Sequence, residues 1–354
     1  LKRILISPLD WGLGHATRCI PIIHYLVEQG AEVVLAGEGR SAALLRQEFP
    51  ALEFVDLPGY GIRYSKRGGM TLHLFLLIPG IMKGIKNEQK ALQKIIKSHK
   101  IDAVISDNRY GLYSKDVPTV FICHQLFIQT PFGEKLVERI HAGFISRFDE
   151  CWVPDLEGEG NLSGLLSHKN NLPGGYYFIG PLSRFSGMVA QPATVYDLVI
   201  ALSGPEPQRS ILEARIREQL SAVKGKSLLV RGMTEGREEE SEGNLDIVSH
   251  LPSQAMMNVM SGAGIILGRS GYSSIMDAAV LGKKCVFVPT PGQTEQEYLM
   301  EYHEAQKHCV GTSQEAFDLS KELEKAKAIE GFGKRLFDGM VWKERVSQLL
   351  KQKE

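Results

Sequence analysis

Short runs of Val, Ile and Leu recur along the chain with stretches of helical length between them, and this alternation constrains the fold more than any other feature. The first half offers strand candidates at 3–9, 32–37, 52–57, 102–107, 119–124, 150–154 and 176–180. A second series follows at 197–203, 227–231, 245–249, 264–268 and 285–289. Near-continuous apolar runs belong to strands buried on both faces, which predicts an α/β chain with two parallel sheets, each covered by helices. At 354 residues the chain can bury two cores. The stretch Gly180-Pro181-Leu182-Ser183-Arg184-Phe185-Ser186-Gly187, followed by Gln191-Pro192, is rich in turn residues and has no periodicity. It predicts a first Rossmann-like domain over 1–182, a linker over 183–195 and a second Rossmann-like domain over 196–354. The last helix, 341–351, is expected either to stay with the second domain or to cross back to the first.

Composition narrows the function classes. Five scattered cysteines without a C-x-x-C pair predict neither a disulfide framework nor a zinc site, and fit a reducing, cytoplasmic setting. Lys plus Arg equals Asp plus Glu at 41 each, which gives no electrostatic case for nucleic acid. The first apolar run is short and strand-like, unlike a signal peptide, and the longest apolar stretch, 72–82, is interrupted by His73, Pro79 and Gly80. Charge is uneven locally: residues 63–100 carry nine basic residues and one acid, Glu88.

In open parallel sheets, ligands bind at the carboxyl ends of strands, so the loops there hold the candidate chemistry. After the first strand comes Asp10-Trp11-Gly12-Leu13-Gly14-His15-Ala16-Thr17-Arg18, where two glycines permit close approach of another molecule. His15 opens the following helix; the positive end of the helix dipole disfavours imidazolium, which suits a general base as well as a simple cap. A dinucleotide fingerprint is the competing reading, with Thr17 in place of the third glycine and Glu38 as the acid. Asp107 and His124, at two further strand ends, are candidates for the acceptor side. In the second half, Gly268-Arg269-Ser270-Gly271-Tyr272-Ser273-Ser274 follows a strand and opens a helix whose N-terminal amides suit a diphosphate, with Asp277 two turns in for a ribose diol. The next strand ends in Val288-Pro289 and leads to Gln296-Glu297-Tyr298, side chains that read sugar hydroxyls.

In their order and domain positions, these segments resemble GT-B glycosyltransferases. The resemblance is to the branch with the lipid-linked N-acetylglucosaminyltransferase of peptidoglycan synthesis and the galactolipid synthases. It implies two Rossmann-like domains facing a central cleft, and a metal-independent inverting transfer of a sugar from a nucleotide diphosphate donor, UDP-linked, to an acceptor hydroxyl. It implies His15 as the acceptor base and donor contacts from Gly14, Arg184, Gly204, the Leu251 backbone, Ser270, Gly271, Ser273, Asp277, Gln296 and Glu297. No cofactor or metal is expected, and the chain has no D-x-D motif.

Three departures stand out. Leu13-Gly14 replaces a glycine pair, Asp277 replaces a glutamate, and the phosphate loop of the second domain reads Ser203-Gly204-Pro205-Glu206-Pro207-Gln208. Pro205 and Pro207 lack N–H donors, and Glu206 is expected to set a negative charge near the diphosphate. A hydrolase or epimerase on the same fold, or a non-catalytic nucleotide-sugar-binding protein, are the alternatives.

The positive segment has its own reading. Lys83, Lys86, Lys90, Lys94 and Lys97 recur at spacings of three and four and share a helix face, with Met82, Ile85, Leu92 and Ile96 expected on the opposite, core-facing side. The lysine face is either simply solvated or, with the apolar run 72–82, seats the domain against anionic lipid at the inner membrane face, where a lipid-linked acceptor would be found.

Overall fold

The computed structural model describes residues 1–60, 70–128, 133–169, 172–191, 194–221, 223–233, 239–333 and 340–352, with backbone alone for 70–78 and 340. The first domain carries β1 (Arg3–Pro8), β2 (Glu32–Gly37), β3 (Glu53–Asp56), β4 (Ala103–Asp107), β5 (Thr119–Ile122), β6 (Glu150–Val153) and β7 (Tyr176–Phe178). Its helices are α1 (Leu13–Glu28), α2 (Gly39–Glu48), α3 (Met70–His99) and α4 (Glu134–Ile145). The second domain carries β8 (Leu198–Ala201), β9 (Ser227–Val230), β10 (Glu239–Glu242), β11 (Leu245–Val248), β12 (Ile265–Gly268), β13 (Cys285–Phe287) and β14 (Cys309–Gly311). It also has α5 (Gln208–Leu220), α6 (Ser253–Gly262), α7 (Tyr272–Leu281), α8 (Thr294–Ala305) and α9 (Leu319–Ala328), and α10 (Met340–Lys351) closes the chain.

Among the described residues the first sheet runs β3-β2-β1-β4-β5-β6-β7, parallel throughout. Strand order reverses between β1 and β4, where Pro8 lies beside Asp107, so the loops after these two strands flank the switch point. Ile4, Ile6, Val33, Leu35 and Ile105 pack beneath Ile20, Ile23 and Leu26 of α1 in one buried cluster. The second sheet runs β10-β11-β9-β8-β12-β13-β14, with β10 antiparallel to β11 and its reversal between β8 and β12. β10, an acidic edge strand, and β14, three residues long, carry too little apolar pattern to stand among the sequence candidates.

The chain divides into residues 1–182 with the C-terminal helix, and 183–337. Trp342, Val346 and Leu349 of α10 enter the first domain's core, Tyr25 Oη and Ser347 Oγ share a hydrogen bond of 2.9 Å, and the Arg345 guanidinium lies 3.4 Å from the Tyr177 ring centre. The start of the expected linker is built into the second domain: Ser183 and Phe185 are fully buried there.

On α3 the five lysines are exposed while Ile85, Leu92 and Ile96 are buried, but Met82 is exposed rather than core-facing. Glu88 is buried under the same helix. Its carboxylate takes the Arg109 Nε–H at 2.7 Å and the Gly111 N–H at 3.0 Å, while Arg109 also donates to Ser7 Oγ and to the carbonyls of Leu57 and Pro58. The one acid of the segment therefore pins α3 to the sheet, and five exposed lysines remain on the outer face. Arg63, Lys66, Arg67 and the side chains at 72–78 lie outside the described residues. Among the described residues no helix is long and apolar enough to cross a membrane.

Candidate active site

At the switch point of the first domain, β4 ends on Asp107, whose side chain is wholly buried. α1 begins beside it, placing His15 and Arg18 one turn apart on the same face. His15 Nδ1 lies 2.6 Å from Asp107 Oδ1. Arg18 donates to both carboxylate oxygens through Nε and Nη2, and its Nη1 lies 2.8 Å from His124 Nδ1. The Cys19 thiol completes the set, directed at Asp107 Oδ2 from 3.8 Å. The structure thus joins His15, Asp107 and His124, three residues the sequence offered separately, through an arginine it did not single out. The signal for Arg18 was its i+3 spacing from His15.

This arrangement decides the tautomer of His15. Without a proton, Nδ1 would set its lone pair against a carboxylate lone pair at 2.6 Å, so Nδ1 carries the hydrogen and donates it to Asp107. Arg18 Nη2, 2.9 Å from the same nitrogen, already has Asp107 Oδ1 as its acceptor. Nε2 is left as the lone-pair nitrogen. Burial, then the Arg18 charge, lowers the His15 pKa from its ordinary 6.5 against the opposing pull of Asp107, so the ring is neutral at neutral pH. Burial works against the Asp107 charge, but Arg18 and His15 outweigh it and hold the carboxyl below its ordinary range. The site therefore contains a neutral imidazole, aligned by a buried carboxylate whose own charge is balanced by Arg18.

In the second domain, α7 starts where β12 ends, with Gly271 at its N-cap and no side chain capping it. Ser270, buried, donates through Oγ to the Gln296 carbonyl at 2.8 Å and ties α7 to the start of α8. Gln296 and Glu297 fold back on their own loop: Gln296 Oε1 accepts the Thr290 N–H at 2.8 Å and Glu297 Oε1 the Gly292 N–H at 3.0 Å. Their oxygens fix the 290–293 turn. Asp277 is also engaged, accepting from Ser183 Oγ at 2.7 Å and Arg184 Nε at 3.0 Å. Burial raises its carboxyl above the ordinary value against those two partners. Leu251 directly precedes the α6 N-cap, Ser273 stands in the first turn of α7, and Gly204 lies in the loop after β8 beside Thr290.

The loop after β8 differs from expectation. Glu206 does not project a bare negative charge: its oxygens take the Arg209 Nε–H at 2.6 Å and the Ser210 N–H at 3.3 Å, closing the first turn of α5. Arg209 in turn binds Glu213, and Glu213 binds Arg231 at 2.8 Å, so the charge is dispersed along α5. Close by, Arg269 is buried and donates to the carbonyls of Val288, Pro289 and Gln208 and to Gln314 Oε1. Its Nε has no hydrogen-bond partner and no carboxylate is bonded to it among the described residues; burial pulls its pKa down to about 10. Arg269 therefore ties the segments after β8, β13 and β14 together and brings a positive charge to the carboxyl edge of this sheet. Among the described residues no cluster of three or more His, Cys, Asp or Glu is arranged for a metal ion.

Residues 207–330 match the glycosyltransferase family 28 C-terminal domain. The chain is a GT-B glycosyltransferase whose second domain matches family 28. An uncharacterized glycosyltransferase of Methanosarcina acetivorans is 24% identical over 323 residues, covering 83% of this chain and 79% of that protein. The UDP-N-acetylglucosamine–N-acetylmuramyl-(pentapeptide) pyrophosphoryl-undecaprenol N-acetylglucosamine transferase of Haemophilus ducreyi is 23% identical over 320 residues, covering 84% and 81%. Among solved structures, the glycotransferase of kitacinnamycin superposes with a TM-score of 0.63 at 14% identity, over 98% of this chain and 94% of that one. The two parallel-sheet domains are those of the GT-B fold. The matched segment contains α7, Asp277 and Gln296 but not the His15 site, which lies outside it.

Proposed function

We propose that this transferase moves a sugar from a UDP-linked donor to an acceptor hydroxyl with inversion at the anomeric carbon. The observation that carries the reading is the 2.6 Å bond between His15 Nδ1 and buried Asp107 at the switch point of the first domain. His15 Nε2 takes the acceptor proton as the hydroxyl oxygen bonds to the anomeric carbon. The bond from that carbon to the phosphate oxygen breaks, and its electron pair leaves with UDP. Asp107 stabilises the imidazolium so formed. Gly271 and Ser273 at the α7 N-terminus, with the charge of Arg269 behind them, favour the diphosphate as it gains charge, and Arg184 joins them when ribose displaces it from Asp277. Gln296, Glu297, the Leu251 backbone, Gly204 and Gly14 complete the proposed donor contacts.

The five exposed lysines of α3 support a peripheral contact with anionic lipid, which would bring a lipid-linked acceptor within reach. Binding of UDP, GDP and TDP and their sugar conjugates by calorimetry, then proton NMR of the product's anomeric signal, tests the transferase reading. It expects selective UDP binding and a product anomer opposite to the donor's; retention of configuration, or preference for another nucleotide, would overturn it.

A further inference from the structure

Trp11 differs from the other two tryptophans. Trp152 and Trp342 are buried in the first domain's core, whereas Trp11 is 39% exposed and has neither a ring partner nor a hydrogen bond among the described residues. The loop that carries it is nevertheless fixed. Asp10 Oδ1 accepts the Ser41 N–H at 2.9 Å, and Ser41 Oγ reaches the carbonyls of Leu9 and Gly12 at 3.5 and 3.4 Å. Gly12 sits at φ 115° and ψ 163°, a conformation open essentially to glycine alone. Gly39 leaves room for the Asp10 carboxylate, which a Cβ at that position would meet at 1.9 Å. The His15–Asp107 bond fixes the far end. Single exposed apolar side chains are ordinary on a surface. An indole held out to water by a clamped loop, four residues before the base, is a different case.

The surroundings select the ligand. Other large exposed apolar side chains of the first domain, such as Val27, Met82, Leu136 and Ile140, are on helices and not on the loops after β1, β2 or β4. The loop after β1 also carries Asp10, the loop after β2 carries Glu38, and His15 and Arg40 stand in the first turns of the helices that follow those two strands. A lipid tail needs contiguous apolar surface. One aromatic face with a polar rim suits a sugar ring instead: the electron-rich face attracts the weakly positive C–H groups of a pyranose, and the rim serves its hydroxyls.

We infer that Trp11 is the platform for the acceptor and that the acceptor presents a pyranose ring, one of whose hydroxyls is the nucleophile at His15. This rests on the transferase reading above. Trp11 positions the ring and exchanges no proton.

Because the other two tryptophans are buried, Trp11 supplies the quenchable emission. The experiment measures acrylamide quenching of the full chain while methyl glycosides of glucose, galactose, mannose and N-acetylglucosamine are added, with decyl phosphate as the lipid-like comparison. The expected result is saturable protection by at least one glycoside, none by decyl phosphate, and no response in Trp11→Phe. Trp11→Ala should raise KM for the protecting glycoside about 10-fold, the scale of one aromatic contact, with kcat and UDP affinity unchanged and Trp11→Phe close to wild type. The proposal is overturned if no glycoside protects, if decyl phosphate protects equally, or if Trp11→Ala leaves the glycoside KM unchanged. UDP calorimetry on the same samples separates the two failures: intact UDP binding without glycoside protection overturns the platform alone, whereas absent nucleotide binding overturns the transferase reading and the platform with it.

Discussion

Replacing Asp107 by Asn tests the His15 site most severely without altering its size. The carboxylate accepts from His15 Nδ1, from two Arg18 nitrogens and from the Cys19 thiol, and it supplies the negative charge that balances Arg18. An amide offers one oxygen to those donors and turns an NH2 group toward either Arg18 or His15. Turned toward His15, it donates to Nδ1 and moves the ring proton to Nε2, which abolishes the base. A tautomer reversed in this way costs on the order of 10⁴ in kcat where a buried Asp aligns a catalytic His. Leaving Arg18 buried without its counter-charge costs about 3–5 kcal/mol of stability. The assay is single-turnover transfer together with a urea unfolding curve. The reasoning is refuted if Asp107→Asn is folded and transfers within tenfold of wild type, because the tautomer would then not depend on the carboxylate.

Four further outcomes follow from the structure. The His15 pKa is lowered below 6.5, so kcat/KM should hold its plateau through neutral pH and fall on an acid limb centred below pH 6.5; a limb above 6.5 would contradict the assigned charge state. Stability has the same sign, since below pH 6.5 the unfolded chain binds the His15 proton before the folded one does, and unfolding midpoints should fall as pH drops through that range. Glu88→Ala strips Arg109 of its buried partner but leaves Ser7 and two backbone carbonyls on it, so a loss of about 3 kcal/mol, at the lower end for broken buried pairs, is expected from the denaturant midpoint. Arg269→Lys cannot span four acceptors with three donors; it should weaken UDP about 10-fold by calorimetry, roughly 1.4 kcal/mol, and uridine less, since uridine lacks the diphosphate.

The fold was largely legible in the sequence because buried parallel strands announce themselves as continuous apolar runs. β10 was not, since Glu-Glu-Ser-Glu has no apolar face and owes its place to pairing with β11. Met82 looked like core from spacing alone, but among the described side chains of α3 the buried apolar stripe begins at Ile85. Of the candidate site, His15 was visible through its glycine loop. Its bond to Asp107 was not, because 92 residues separate them and only the sheet's strand order brings β1 and β4 together. Glu206 read as a hostile charge because its partner Arg209 could not be assigned to it before the first turn of α5 was known.

The central claim is that His15 removes the acceptor proton. Its most direct test is single-turnover transfer by His15→Ala, alongside UDP binding by the same variant. The account predicts wild-type UDP affinity with transfer reduced at least about 100-fold, the lower range for loss of a general base. Full transfer by His15→Ala with UDP bound normally would contradict it.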